Sequence, residues 1–255
     1  MLTTFRASKS GLNANQEKMD IISNNIVNVN TTGYKKMEVG FQDLLTASLD
    51  EWGNPLNDKS AITGTGVKTT NVTRDAKQGT LLTTEQSTDI ALDGEGYFRV
   101  IASDGTSYYT RDGEFKLDSL GRLVDKQGNI LDIEYENGYS ANNAALTSDN
   151  FSVNKNGEIF ITEKGSSKKV GEIPLYTAVG DDAFVSVGDN LFKELDGVLV
   201  YRTVDADMYQ GYLEGSNVDL SEEMSELIVT QRAFQLSSKA LTTADEMWGM
   251  INNLR

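Results

Sequence analysis

Apolar side chains recur every seven residues at both ends of this chain. Near the N-terminus the series is Phe5, Leu12, Met19 and Ile26, with Leu2, Ile22 and Val29 on adjoining lines. Near the C-terminus it is Leu220, Leu227, Phe234, Leu241 and Trp248, with Ile251 beside the last of them. That period lays a stripe along one side of a helix. It predicts helices over residues 2–28 and 220–252. The first runs into Asn24, Asn25, Asn28, Asn30, Thr31, Thr32 and Gly33, which are poor helix-interior residues, so it should fray between 25 and 33. The second starts at Asp219, with Glu222 in the position of a capping-box partner.

Between the stripes the period changes to two. Strand candidates lie at 67–73, 89–92, 96–102, 107–111, 114–117, 123–124, 130–133, 158–162, 171–177 and 198–203. Turn residues separate them, among them Asp104-Gly105, Asp112-Gly113, Asn137-Gly138, Asn156-Gly157 and Asp196-Gly197. Residues 41–48 read as a short helical turn, 50–66 as an extended loop and 137–150 as a surface loop. The expected fold is mixed α and β. Helices at the two termini form a coiled-coil domain, and an antiparallel all-β domain, barrel- or sandwich-like, is inserted between them. The expected boundaries are 1–35 plus 216–255 for the helical domain, 36–75 for an extended connection and 76–215 for the β domain.

Charge favours a meeting of the two ends. Residues 1–38 carry a surplus of bases and 214–255 a surplus of acids. Leu2, Phe5, Leu12, Met19, Ile22 and Ile26 should therefore face Leu220, Leu227, Phe234, Leu241, Trp248 and Ile251. A two-helix seam leaves apolar surface over, and further copies of the chain are its natural cover.

Composition removes several classes of function. The net charge of −15 argues against nucleic-acid binding and docking on an anionic membrane. With no Cys and no His, thiol catalysis, disulfides and the usual general base are absent. No stretch approaches the roughly 18–20 apolar residues of a spanning helix, and the N-terminus lacks the apolar core of a cleavable signal. Asp93-Gly94-Glu95-Gly96 and Asp112-Gly113-Glu114 invite a calcium reading, but the loop spacing is wrong and Asp-Gly is an ordinary hairpin turn. Gly94-x-Gly96 precedes a strand, and 63–66 lacks the ending of a phosphate loop. Ser237, Ser238 and Lys239 lack catalytic spacing, and Glu222 with Glu223 suits a solvated helix start. No enzymatic activity and no cofactor are expected.

Long ordered motifs carry a resemblance. Residues 23–36, with Asn24, Asn25, Asn28, Asn30, Thr31, Gly33 and Tyr34, resemble the N-terminal signature of bacterial flagellar rod and hook proteins. The run 216–219, then Glu223-Met224, then Thr230-Gln231-Arg232-Ala233-Phe234, resembles their C-terminal signature, as does 238–245. Residues 78–81, 89–98 and 109–115 are similar to the start of the family's β-domain. The resemblance implies an axial structural subunit of the flagellum that self-assembles into a helical tube and transmits motor torque. It implies a place in the basal body, outside the cytoplasmic membrane and without membrane insertion. It further implies neighbouring rod and hook proteins as partners. Export would run through the flagellar type III apparatus without a cleaved signal, and the Asn-rich segment would stay mobile until neighbours order it. Length and the 46–66 segment are most like the distal rod type, with the proximal rod paralogue or a hook-type protein as alternatives. The rival from another class is a secreted adhesive β-module held in a closed bundle by its helical ends.

Overall fold

A computed structural model describes residues 2–44, 47–48, 62–136, 138–141, 146–147, 149–163, 166–180 and 183–253. The chain forms two compact units. One comprises Met1–Val27, Met37–Asp75 and Asp219–Arg255, the other Asn28–Lys36 and Ala76–Val218. The Asn-rich segment that follows the first helix thus belongs to the β unit.

In the helical unit, α1 spans Leu2–Val27 and α2 spans Leu220–Asn253. Asp219 caps α2 through Oδ1, which accepts the backbone N–H groups of Ser221 (2.8 Å) and Glu222 (3.2 Å). The helices run antiparallel, since Asn25 meets Glu223, Lys18 meets Glu226, and a Cβ on Gly11 would lie 3.5 Å from the Ser237 hydroxyl.

A β-ribbon completes this unit. Met37–Glu38 pairs with Thr73–Arg74, Phe41–Asp43 with Val67–Thr69, and Ala47–Ser48 with Ile62–Thr63. The helical turn expected at 41–48 is therefore strand. Its apolar pair Leu44 and Leu45 suggests a helix by composition, but antiparallel pairing to 62–69 supplies the backbone partners instead. Residues 49–61, most of the expected loop 50–66, lie outside the described residues. The ribbon lies along α1: Ser10 Oγ accepts the Val67 N–H at 3.2 Å, and Thr69 Oγ1 donates to Glu17. Gly66 permits that approach. Its φ is +135°, and a Cβ there would sit 2.3 Å from Ser10 Oγ.

The β unit is built round the strand Tyr97–Ile101, whose Phe98 and Val100 are fully buried. Ser107–Thr110 flanks it on one side, and Ile130–Leu131 and Leu175–Ala178 share the other. A separate sheet runs Glu134–Tyr135, Ser166–Glu172, Glu158–Glu163, Phe151–Val153. Two ribbons, Ile90–Gly94 with Ala206–Gln210 and Leu81–Thr83 with Tyr212–Glu214, bring the chain back toward α2 in sequence. One apolar core runs from Ile90 and Phe115 through Leu131, Ile159 and Val170 to Met208. The sheets are open, so the barrel expectation does not hold: among the described residues, Phe184–Gly188 and Val200–Thr203 each pair on one side only. The single strand expected at 171–177 is two, because Pro174 has no N–H to continue a ladder. The hairpin at Asp189-Asn190, both residues at positive φ, went unrecognised because it carries no glycine between its strands' ends.

Candidate assembly site

The expected interface residues divide into two groups. Leu12, Met19, Ile26, Leu227, Phe234 and Leu241 are half-buried, and Ile22 is buried. Phe5, Leu220, Trp248 and Ile251 are exposed. The Leu2 side chain lies outside the described residues. The most deeply buried row on α2 is another one: Glu223, Thr230 and Ala244, with Ser237 half-buried between them. Its α1 counterparts include Ala14 and Asn25. Small residues on this row let the helix backbones approach, which pushes the larger Leu and Phe side chains to the flank of the seam. An apolar stripe read from sequence marks the right side of the helix but not its centre.

Asn25 explains the polar entries on that row. Its side-chain amide donates to Glu223 Oε2 (3.0 Å) and to the Met37 carbonyl (2.9 Å), and its Oδ1 accepts the Met37 N–H (2.9 Å). One side chain thus ties the end of α1 to the start of α2 and to the first strand of the ribbon. Thr230 returns its hydroxyl to the Glu226 carbonyl at 2.8 Å. Lys18 and Glu226 form an ion pair at 2.5 Å on the partly exposed edge. Gln231 and Arg232 are exposed, and Arg232 Nη1 donates to Gln235 Oε1 at 3.5 Å, the limit of a hydrogen bond.

In the β unit the motif segments converge on one carboxylate that sequence reading missed. Glu214 is 1% exposed. Its Oε1 accepts Lys35 Nζ at 2.6 Å and the Gly79 N–H at 2.9 Å, and its Oε2 accepts Arg111 Nη1 at 3.3 Å. Its backbone carbonyl accepts the Gly33 N–H at 2.8 Å. Lys35 Nζ also reaches the Lys77 carbonyl at 2.7 Å, and Arg111 Nη2 the Gly94 carbonyl at 2.7 Å. Buried charges of both signs therefore meet with hydrogen bonds to spare, the condition under which such a cluster is tolerated. The signal was in the sequence: 33–36, 78–80 and 109–115 were singled out as motifs, but nothing along the chain says that they share one partner at 214.

The segment 28–36 is ordered here, contrary to the mobile segment expected. Thr31 bonds Asn28 through backbone (3.0 Å) and side chain (3.1 Å), Thr32 donates to Asp112 Oδ1 (2.8 Å), and Asn190 Nδ2 donates to the Thr32 carbonyl (2.8 Å). Asn217 Oδ1 accepts the Lys36 N–H at 2.7 Å. Tyr34 is buried, while Asn24 and Asn30 are exposed. Gly33 has φ +67°, and a Cβ there would fall 2.6 Å from the Asp112 nitrogen, so only glycine fits. The local polar residues were read as helix-breaking, and they are, but they break the helix in order to bond elsewhere in the fold.

The Asp-Gly loops behave as turns. Asp112 is engaged by Thr32 and by Lys126 at 2.9 Å, and among the described residues no group of acids is arranged to hold a metal. Asp89 is buried, and burial raises its pKa above the ordinary 3.8, with the Glu114 and Asp112 carboxylates adding and a Thr84 hydrogen bond opposing. Among the described residues no helix is long and apolar enough to cross a membrane.

Comparison with known proteins gives three family matches. "Flagella basal body rod protein" covers residues 5–35, "Flagellar hook protein FlgE/F/G D1 domain" covers 91–165, and "Flagellar basal body rod FlgEFG protein C-terminal" covers 209–254. Full-length relatives agree. The chain is 34% identical over 267 residues to the flagellar basal-body rod protein FlgG of Buchnera aphidicola, subspecies Acyrthosiphon pisum, covering all of both chains. It is 35% identical over 271 residues to FlgG of Bacillus subtilis, again covering all of both. To FlgG of Borreliella burgdorferi it is 33% identical over 268 residues, covering all of this chain and 99% of the relative.

Proposed function

The chain belongs to the family of flagellar basal-body rod proteins, and we propose that it polymerises as a distal-rod-type subunit through its terminal helices. It is a structural protein of the flagellar basal body. In this reading the subunits build a helical tube that carries motor torque to the hook. Other copies and the neighbouring rod and hook proteins are its partners. The flagellar export apparatus delivers it without a cleaved signal. Residues 1–35 with 216–255 form the axial coiled-coil core, 36–75 the connection and 76–215 the outer domain. Leu2, Phe5, Leu12, Met19, Ile22, Ile26, Leu220, Leu227, Phe234, Leu241, Trp248 and Ile251 serve assembly.

The observation that carries this reading is the apolar surface the helix pair leaves uncovered, with Leu220, Met224, Leu236, Trp248 and Ile251 all 40% exposed or more. Monomeric proteins rarely leave such a run in water. Covering a side chain of this size is worth roughly 1.5–3 kcal/mol, so a few per contact suffice to drive association. A head-to-tail contact that does not close on itself then grows without limit.

The test is sedimentation and negative-stain imaging of the full chain over a concentration series, beside Phe234→Asp. Wild type should form open-ended rods that lengthen with concentration. Phe234→Asp should remain unassembled with its β signature intact. A fixed small oligomer at every concentration would overturn the proposal in favour of a closed bundle.

A further inference from the structure

α2 carries a second heptad row, distinct from the stripe that marks its sequence. Val229, Ala233, Leu236, Ala240, Thr243, Met247 and Met250 follow one another at alternating spacings of four and three. That is the a/d spacing of a helix-packing seam, and it runs for three full heptads. It lies roughly 100° round the helix from the row Glu223, Thr230, Ser237 and Ala244 that meets α1. Among the described residues nothing of the subunit covers it. Val229 is 67% exposed, Leu236 69% and Met250 60%. Ala233 is half-buried, and Ala240 and Thr243 are exposed. The Thr243 hydroxyl is turned back on the Lys239 carbonyl at 2.9 Å, so it presents its methyl group outward at little polar cost.

We propose that this second row receives the α1 helix of a second copy, so that each α2 is clasped by its own α1 on one seam and by a neighbour's on the other. The proposal rests on the self-assembly reading above and names the contact that performs it. Three observations select the occupant. The alternating spacing interlocks with helices, whose side chains repeat at the same interval, and not with strands or loops. The row alternates large and small side chains, Leu236 between Ala233 and Ala240, which leaves holes for a partner's knobs. Charge then chooses between the two helices available on another copy. Residues 214–255 are net acidic and residues 1–38 net basic, so a second α2 would bring like charge and α1 brings the opposite. Two seams set round one helix at less than a half-turn also explain open growth, because each subunit both offers and receives a helix at different places.

The test uses the full chain. Leu236→Glu and Ala240→Glu each place a charge on the second row at exposed positions, while Gln235→Glu places one on α2 away from it. Wild type and Gln235→Glu should form rods alike. The two row variants should stay unassembled at concentrations at least tenfold above the wild-type threshold, with helix content and melting of the subunit unchanged. Because the chain has no cysteine, Leu236→Cys can then be cross-linked within rods to single cysteines placed along α1 or along α2 of co-assembled copies. Disulfides to α1 should dominate, and a dominant yield to α2 would overturn the choice of occupant. Rods from both row variants equal to wild type would overturn the second seam while leaving self-assembly standing. A wild-type chain that never assembles would instead defeat the self-assembly reading, and this contact with it.

Discussion

In the β unit Ile90, Phe98, Val100 and Leu123 are wholly withdrawn from solvent, whereas in the helical unit only Ala14, Ile22 and Ala244 are buried among the described apolar residues. The β unit closes a core with its own chain, from Phe98 at its centre to Met208 at its edge. The helical unit brings two long helices and a ribbon together, and its largest apolar groups still face water. Two antiparallel helices have one common seam, and any further apolar row must find a partner elsewhere. The buried positions differ in kind as well. The β unit hides aromatic and branched side chains, and the helical unit hides small and polar ones held by Asn25. A core of the first kind is stable alone, and a seam of the second kind specifies alignment more than it stabilises.

The contrast can be broken most severely at Glu214. Glu214→Ala leaves the Lys35 and Arg111 charges buried without their carboxylate, which should cost about 3–5 kcal/mol. The urea midpoint of the full chain, read by circular dichroism in the β region, should fall accordingly. An unchanged midpoint would mean that the β unit owes its independence to apolar packing alone. Asn25→Ala attacks the other side. It removes three hydrogen bonds at the start of the helix pair and should cost about 1–3 kcal/mol. Amide exchange should quicken in α1 and at Met37 while the strand Tyr97–Ile101 stays protected. Faster exchange throughout would show the two units to be less separate than their cores suggest.

The smallest effect sharpens the contrast and has a definite sign. Burial raises the Asp89 pKa above 3.8, so the folded β unit holds that proton more tightly than the unfolded chain does. The stability this contributes is complete below pH 3.8 and is lost as pH rises through the folded value. Asp89→Asn is neutral at every pH, so it should raise the melting temperature modestly at pH 7. The gain should shrink as the buffer is taken toward pH 3.8. A gain that does not change with pH would assign the effect to packing.

Much of this architecture was legible in the chain. The seven-residue apolar period located α1 and α2 because a helix repeats its faces on that interval whatever surrounds it. Asp219 announced its cap, and Asp104-Gly105 and Asn156-Gly157 announced turns, since these preferences are local. The misreadings fall where a distant partner overrides local preference. Residues 41–48 became strand because 62–69 pairs with them. Residues 28–36 became ordered because Glu214, Asp112, Asn190 and Asn217 accept or donate the bonds that their polar side chains and backbone seek.

The sequence by itself determined which segments are helical, which are extended, and that the two ends carry more apolar surface than one chain can cover. Those follow from periodicity and composition, which act within a few residues. Only the tertiary structure decided which row of α2 meets α1, because that choice depends on how closely two backbones approach. Glu223, Thr230 and Ala244 allow an approach that Leu227, Phe234 and Leu241 do not. It also decided that Lys35, Gly79 and Arg111 share a single buried carboxylate. Their nearness is a property of chain paths more than a hundred residues apart, and no local preference encodes it.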